Sequence, residues 1–114
     1  MAMKRLILEI GTGNDLHGGD YTKAAVRAVL DAVHHSSLTM VRSLGLDRDE
    51  IEVRVTIGVQ QPDRIDADAI KQILPMGKVS VAAVKGGLDV PDDPANDRAV
   101  IASAAVEVWA DLPD

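Results

Sequence analysis

Residues 50–59 read Glu-Ile-Glu-Val-Arg-Val-Thr-Ile-Gly-Val, and this stretch decides the fold. Branched apolar side chains occupy every second position, while charged residues, threonine and glycine occupy the positions between them. Strict alternation of this length is typical of a β-strand that buries one face and exposes the other. We therefore predict a half-buried strand here, which needs other elements to cover its apolar face.

A long helix is predicted before this strand. Apolar residues recur at steps of three and four between Tyr21 and Leu44, a spacing that keeps them on one helix face. Asp20 or Thr22 can cap its first turn, and Gly45 can end it in a left-handed conformation.

A short helix and three more strands complete the predicted elements. The helix covers residues 67–74, after Asp66 as its N-cap. The strands cover residues 5–10, 78–84 and 99–109. Residues 88–98 hold four aspartates, two prolines and an asparagine, so we predict an exposed acidic loop there.

The order strand, helix, strand, helix, strand, strand predicts the α+β class. We expect a single layer of two helices on a four-stranded mixed sheet, within one domain that spans residues 1–114. The residues predicted for the other sheet face are mixed and mostly small: Ile7, Glu9, Thr56, Ser80 and Ala82, with Ser103 or Ala104. Such a face is not polar enough to stay in water by itself, so we predict that it is buried in a homo-oligomer.

Composition argues against several classes of partner. The formal net charge is −6 and basic residues do not cluster, so nucleic acids and anionic membrane surfaces would be repelled. There is no cysteine, so any metal site must use His, Asp or Glu. The apolar run within residues 1–10 is too short for a signal peptide or a membrane span, so we predict a cytoplasmic protein.

The most informative candidate for function follows the first predicted strand. Residues 11–18 read Gly-Thr-Gly-Asn-Asp-Leu-His-Gly, and position 19 is another glycine. Asp15 can accept a proton or hold a cation, and His17 can titrate near neutral pH or bind a metal. Glycines permit positive φ and a close approach of the backbone to a ligand. We therefore predict a functional site at this loop, with Asp15 and His17 as its catalytic residues.

The neighbouring residues predict what the loop binds. Backbone N–H groups near the positive end of the following helix can hold an anion, and Lys23 and Arg27 can receive its charge. The predicted substrate-binding residues are Gly11, Gly13, Gly18, Gly19, Lys23 and Arg27. We expect an enzyme that acts on a small acidic metabolite at a subunit interface. The alternative is a non-catalytic oligomeric module that binds a metabolite or a metal.

Two versions of the chemistry stay open. In one, Asp15 and His17 bind a divalent metal ion, and water or a second subunit completes its coordination. In the other, no metal takes part, and His17 is the base while Asp15 orients a neighbour. His34 and His35 are adjacent on the predicted helix and point about 100° apart. They cannot bind one ion together, and whether either joins the site is left open.

The element order resembles the Bacillus chorismate mutase-like fold, whose members are commonly trimers with active sites at the clefts between subunits. Within that fold class, residues 10–17 are similar to the first-strand motif of methylerythritol cyclodiphosphate synthase, whose D-x-H step binds a divalent metal. This resemblance implies Asp15 and His17 as metal ligands. The synthase takes a third ligand from a histidine in the following helix, where this chain has Lys23, Ala24 and Ala25. The resemblance therefore covers the metal pair and not the synthase activity.

A resemblance along nearly the whole chain comes from three segments. They are the Gly-x-Gly-x-Asp-x-His-Gly motif at 11–18, residues 22–28, and residues 84–88. These segments look like an uncharacterised family of small proteins from bacteria and plants, which the N-terminal motif defines. Because the function of that family is unassigned, the resemblance implies a site and names no reaction.

Overall fold

The sheet of this protein is built around a long last strand. The structure is a computed structural model that describes residues 2–34, 45–74 and 77–113. In these ranges the strands are β1 (Ala2–Asp15), β2 (Ile51–Val59), β3 (Lys78–Lys85), β4 (Leu88–Asp92) and β5 (Asp97–Leu112). The α-helices are α1 (Tyr21–His34) and α2 (Ala67–Gln72). The predicted α+β class is therefore confirmed.

The last strand, β5, pairs with three others and sets the topology. The strand order is β1-β5-β2-β3, and β4 pairs with the first residues of β5. Since β5 is antiparallel to β1, β2 and β4 while β2 and β3 are parallel, the predicted mixed sheet is confirmed. The finer assignment to the Bacillus chorismate mutase-like fold stays a prediction.

The predicted number of strands is wrong, because the described sheet has five strands rather than four. The additional strand, β4, lies in the stretch predicted as an exposed acidic loop, and pairs Leu88 with Ile101 and Asp92 with Asp97. Apolar residues alternate along it, but the surrounding aspartates and prolines obscure that pattern. A 3-10 turn and Asn96, with φ of 50°, then reverse the chain into β5.

The central strand, β2, supplies the middle of the core as predicted. Its five alternating apolar residues are at most 2% exposed: Ile51, Val53, Val55, Ile57 and Val59. The neighbouring strand β5 adds buried valines and alanines at the paired positions, such as Val106 opposite Val55. The helix α1 covers this face through Ala24, Ala28 and Ala32, which are fully buried. Small residues on the helix allow this close packing.

Gly11 and Gly13 let α1 approach β1 at backbone distance. A Cβ on Gly11 would lie 2.3 Å from the backbone oxygen of Ala28, and a Cβ on Gly13 would lie 2.3 Å from the backbone nitrogen of the same alanine. Neither position has room for a side chain. The first strand therefore continues to Asp15 beneath the helix, instead of ending at Ile10 as predicted.

The same two glycines fix which side of β1 faces the helices. The alternation of the strand carries Ile7 to that side, where it is 6% exposed, and Glu9 with it. Leu8 and Ile10 therefore lie on the opposite, open face, 44% and 60% exposed. The predicted open-face positions of Ile7 and Glu9 are wrong, because glycines rather than larger residues decide which side meets the helix. The other predicted open-face residues do lie there: Thr56, Ser80, Ala82 and Ser103.

Both helices begin where the sequence predicts. Asp20 caps α1, because its Oδ1 accepts a hydrogen bond from the backbone N–H of Lys23 at 3.0 Å. Asp66 caps α2 in the same way, accepting from the N–H groups of Asp68 and Ala69. Residues 35–44 of the predicted long helix lie outside the described residues. Of the helices described, neither is long and apolar enough to cross a membrane.

Candidate functional site

The loop between β1 and α1 contains a sharp turn at two glycines. Gly18 and Gly19 have φ of 95° and 61°, a region that residues with a side chain rarely adopt. Arg98 of β5 lies directly against the second glycine, since a Cβ there would be 2.9 Å from the Arg98 Nε. The two glycines therefore form the turn and also admit an arginine to it. We call residues 18 and 19 the glycine turn.

Asp15 holds the two ends of this loop together. It is 4% exposed, and its Oδ2 accepts a hydrogen bond from the backbone N–H of Asp20 at 3.0 Å. Its Oδ1 lies 3.5 Å from Nη1 of Arg27. Because that carboxylate bridges the end of β1 and the start of α1, it fixes the shape of the glycine turn.

Asp97, the first residue of β5, fixes the turn from the other side. Its Oδ1 accepts hydrogen bonds from the backbone N–H groups of Gly18 at 2.9 Å and Arg98 at 2.8 Å. Its Oδ2 lies 3.4 Å from Nδ1 of His17, whose side chain is 87% exposed. The hydrogen bond from Gly18 is the first cause that holds the pKa of the Asp97 carboxyl below its ordinary value of 3.8. A charged Asp97 thus orients the imidazole of His17.

The glycine turn forms a wall shared by two clefts. The first, which we call the β4 cleft, has a volume of about 340 Å³ and is lined by Gly18, Gly19, Pro91, Asp93, Asn96, Asp97 and Arg98. The second, which we call the α1 cleft, also has a volume of about 340 Å³ and is lined by Gly18, Gly19, Asp20, Tyr21 and Arg64. Each cleft therefore brings one arginine to the same turn.

Tyr21 ties these two arginines to the core. The guanidinium carbons of Arg64 and Arg98 each lie 5.6 Å from the centre of its ring. The Tyr21 hydroxyl donates a hydrogen bond to Asp89 of β4 and accepts one from Gln61. Burial, followed by the contact with Asp89, raises the pKa of Tyr21 above 10.0, so the hydroxyl keeps its proton at neutral pH.

The structure gathers four of the predicted site residues around the turn. Gly18 and Gly19 line both clefts. His17 lies beside Asp97 at the edge of the β4 cleft, whereas Asp15 is buried behind the turn. The catalytic and ligand-binding roles of these four residues stay predictions.

The other predicted site residues lie elsewhere. Gly11 and Gly13 pack beneath α1, and neither lines a cleft. Arg27 donates a hydrogen bond to the backbone oxygen of Asn14 at 2.6 Å, at the outer edge of β1. Lys23 is exposed on α1 and lines neither cleft. Gly11 and Gly13 therefore have a packing role, and Arg27 holds the end of β1 by a hydrogen bond. Their role in ligand binding stays a prediction.

His34 lies far from the loop. His34 ends α1, so it lies about 20 Å along the axis from the start of the helix at about 1.5 Å per residue. His35 lies outside the described residues. Within this chain, His34 is therefore too far from the loop to join the site.

Sequence reasoning misses three residues that shape the site, namely Arg64, Asp97 and Arg98. The first stands in a 3-10 turn after β2, and the other two begin β5. These residues are distant in sequence from the glycine turn, and they lie near the start of α1 only because of the order of the strands in the sheet. A usable signal is that each arginine stands two residues after a turn-forming residue, Arg64 after Pro62 and Arg98 after Asn96.

Asp15 already has a cationic partner where the metal is predicted to bind. A divalent cation at Asp15 would meet the Arg27 guanidinium, which already lies 3.5 Å from that carboxylate. Within the described ranges, no three His, Asp or Glu side chains stand close enough to hold a metal together. The metal pair, which needs water or a second subunit to complete its coordination, therefore stays a prediction.

Comparisons with known proteins place the chain in an uncharacterised group. A family model described as "Conserved hypothetical protein (Lin0512_fam)" matches residues 5–108. No curated protein matches the chain. Among solved structures, it is similar to the crystal structure of an FtsZ-like protein of unknown function from Nostoc punctiforme, with 34% identity and a TM-score of 0.85. That match covers 98% of this chain and 99% of the other. The predicted uncharacterised family is confirmed, whereas the similarity to the synthase is not.

Proposed function

This chain belongs to the conserved hypothetical protein family that its residues 5–108 match, and we propose that it binds a small acidic molecule at the glycine turn. A family without an assigned activity supplies no reaction. The proposal therefore depends on the charges, the space and the hydrogen bonds around residues 18 and 19.

The observation that carries this proposal is that two clefts share one turn and each contributes an arginine. Arg98 faces the turn in the β4 cleft, and Arg64 faces it in the α1 cleft. Guanidinium groups bind carboxylates and phosphates through two parallel hydrogen bonds. A molecule with an anionic group at the turn would therefore meet a cation from either side.

Positive groups at the turn oppose a net charge that would repel such a ligand, although Asp20, Asp93 and Asp97 also line the two clefts. The chain carries −6 overall, but the N-terminus of α1, a helix of 14 residues, points its partial positive charge at the turn. Asp20 already accepts a hydrogen bond from Lys23 in that first helical turn. We therefore assign the ligand's charge to Arg64 and Arg98 rather than to the helix amides.

For the reaction, we propose that His17 gives a proton to the bound molecule or takes one from it. Asp97 lies 3.4 Å from Nδ1 of the ring and orients it, which leaves Nε2 to act. Asp15 serves this chemistry by holding the turn in shape. The version with a divalent metal is tested by measuring the metal content of protein purified without chelator: a bound ion lost in both Asp15→Asn and His17→Ala would support it.

The alternative function is a binding module without turnover. The exposure of His17, at 87% of its side chain, favours this alternative, because acid–base catalysis usually takes place where water is excluded. The two functions differ in whether the ligand meets the imidazole. In an enzyme, the nuclear magnetic resonance signals of the His17 ring should move when an anion binds, whereas in a binding module they should not.

We also propose that the working form is a homo-oligomer of chorismate mutase-like architecture, a trimer or a larger assembly. In that form the glycine turn lies beside a subunit interface, and a second copy closes clefts that are open to solvent in one chain. Support comes from the sheet, whose second face no element of the described chain covers. The expected location is the cytoplasm.

Binding of simple anions tests the central claim. Inorganic phosphate and succinate are titrated into the protein, and binding is followed by calorimetry and by the amide signals of Gly18 and Gly19. Removing a charge-assisted hydrogen bond costs about 1–3 kcal/mol, so Arg64→Gln and Arg98→Gln should each weaken binding by roughly tenfold or more. Arg5→Gln is the matched control, because that exposed arginine pairs with Glu107 away from both clefts.

Two results would contradict the proposal. One is an absence of binding by either anion at millimolar concentration. The other is equal loss of binding in Arg5→Gln and in the cleft variants, which would indicate a general charge effect instead of a site.

A further inference from the structure

The open face of the sheet carries large apolar side chains in contact with solvent. The most exposed are Ile10 at 60%, Leu88 at 52%, Val84 at 49% and Val90 at 46%. They come from β1, β3 and β4, so three separate strands contribute to one exposed surface. Scattered apolar residues are ordinary on a protein surface, but a contiguous group indicates a contact.

Strand pairing shows that these residues are contiguous. Ile10 lies opposite Ala105, which lies opposite Thr56, which in turn lies opposite Ala82. Two positions along the same face toward the glycine turn, beyond Ser103, Ile101 lies opposite Leu88. We define the apolar patch as Ile10, Ala82, Val84, Leu88, Val90 and Ile101.

Charged side chains border the apolar patch without entering it. Arg54 and Glu107 lie opposite each other at one end, and Asp92 lies at the other end. The positions between the patch residues are occupied by small uncharged residues: Thr56, Gly58, Ser103 and Ala105. Because 26% of this chain is charged, the separation of charge from apolar surface needs an explanation beyond chance exposure.

The open face approaches the area that a stable contact requires. Four strands lie side by side only along residues 103–109 of β5, over about 23 Å at about 3.3 Å per residue and a width of roughly 19 Å. The strand pairs at the two ends, β4 with β5 and β1 with β5, bring the face to about 700 Å². A standard protein–protein interface buries about 600–1,000 Å² on each partner.

We propose that the apolar patch packs against the sheet face of a second copy of this chain. A charged partner would find nothing in the patch to pair with, whereas an identical patch matches it in size, flatness and polarity. Two sheets pack face to face about 10 Å apart when their facing residues are of this kind. The contact rests on the proposed homo-oligomer, but it does not require a ligand at the glycine turn, so its test is independent of anion binding there.

Sedimentation of single-site variants tests this contact. Ile10→Glu and Leu88→Glu each place a carboxylate in the patch from a different strand. Leu30→Glu is the matched control, because Leu30 is also exposed, at 47%, but lies on α1. All four proteins are compared at micromolar concentration, and circular dichroism confirms that each is folded.

We expect the parent and Leu30→Glu to sediment as oligomers, and the two patch variants to associate at least about tenfold more weakly. A parent protein that is monomeric at these concentrations would overturn the proposal. Patch variants that are folded and assemble like the parent would overturn it as well, because the contact would then lie on another surface. Loss of anion binding in Arg98→Gln has no bearing on either result.

Discussion

Gly13 and Gly58 are both strand glycines, yet a side chain would meet very different surroundings at the two positions. A Cβ on Gly13 would lie 2.3 Å from the backbone of α1, whereas a Cβ on Gly58 would lie 3.5 Å from Gly86, an ordinary contact. Their backbone conformations require no glycine, since neither has a positive φ. The difference between them is therefore one of space alone.

We predict that Gly13→Ala lowers the free energy of unfolding by about 3 kcal/mol, because α1 must move away from β1. Gly58→Ala should leave stability within about 1 kcal/mol of the parent or raise it, since alanine is less flexible than glycine in the unfolded chain. Urea denaturation measures both. Equal stability of the two variants would show that α1 does not lie as close to β1 as described.

Asp97 makes the glycine turn sensitive to acid. Since hydrogen bonds from Gly18 and Arg98 lower the folded-state pKa, the carboxylate stabilises the fold at every pH above its ordinary value of 3.8. That stabilisation is lost as the pH falls below 3.8 and through the folded-state pKa, because the proton then binds in both states. We predict that Asp97→Asn is less stable than the parent at neutral pH and that this difference shrinks below pH 3.8.

Urea denaturation of the parent and Asp97→Asn at a series of pH values measures this effect. His17→Ala is the control: its pH profile should stay close to that of the parent, because the backbone N–H groups and not the imidazole are the main cause of the lowered pKa. A stability difference between Asp97→Asn and the parent that stays constant across the acid range would argue against a role for the charge.

At the scale of elements, the hairpin β4–β5 joins the core to the site through one buried contact. Tyr21 at the start of α1 is 2% exposed and donates a hydrogen bond to Oδ2 of Asp89 in β4. The other oxygen of that carboxylate is shielded from solvent, with no hydrogen-bond partner among the described residues. The same Oδ2 also lies 3.9 Å from Nη1 of Arg98, so the tyrosine and the arginine together hold β4 against α1.

We predict that Tyr21→Phe lowers the free energy of unfolding by about 1–3 kcal/mol, because it leaves a half-buried carboxylate with fewer partners. Asp89→Ala removes that carboxylate, so adding it to Tyr21→Phe should cost less than adding it to the parent. A double-mutant cycle measured by urea denaturation should thus show coupling between the two positions. Additive losses would mean that the hydroxyl and the carboxylate act independently.

Some elements are predicted from the sequence and others are not. The predicted ones depend on residues close together in the sequence, whereas the others depend on contacts between distant residues. The central strand β2 and the starts of both helices are predicted correctly, because alternation and capping by Asp20 and Asp66 are local. The strand β4 is not predicted, because its register exists only once Leu88 lies beside Ile101. Arg64 and Arg98 escape prediction for the same reason, since only the sheet order brings them to the glycine turn.

At the scale of the whole molecule, the two faces of the sheet have opposite roles. One face carries both helices and the core, and the ends of its elements meet at the glycine turn. The other face is open and carries the apolar patch between two charged ends. We thus propose ligand binding at the two arginines beside the glycine turn, and association of copies at the apolar patch on the other face.

Salt should therefore have opposite effects on the association of copies and on the binding of an anion. Copies with a net charge of −6 repel each other, and salt shortens the screening length from about 10 Å at 0.1 M to about 3 Å at 1 M. Because the patch has no ion pairs to lose, we predict that its association tightens as sodium chloride is raised, measured by sedimentation. Phosphate binding at Arg64 and Arg98 should weaken over the same range, measured by calorimetry. Association that weakens with salt would indicate an interface built on ion pairs between copies instead of the apolar patch.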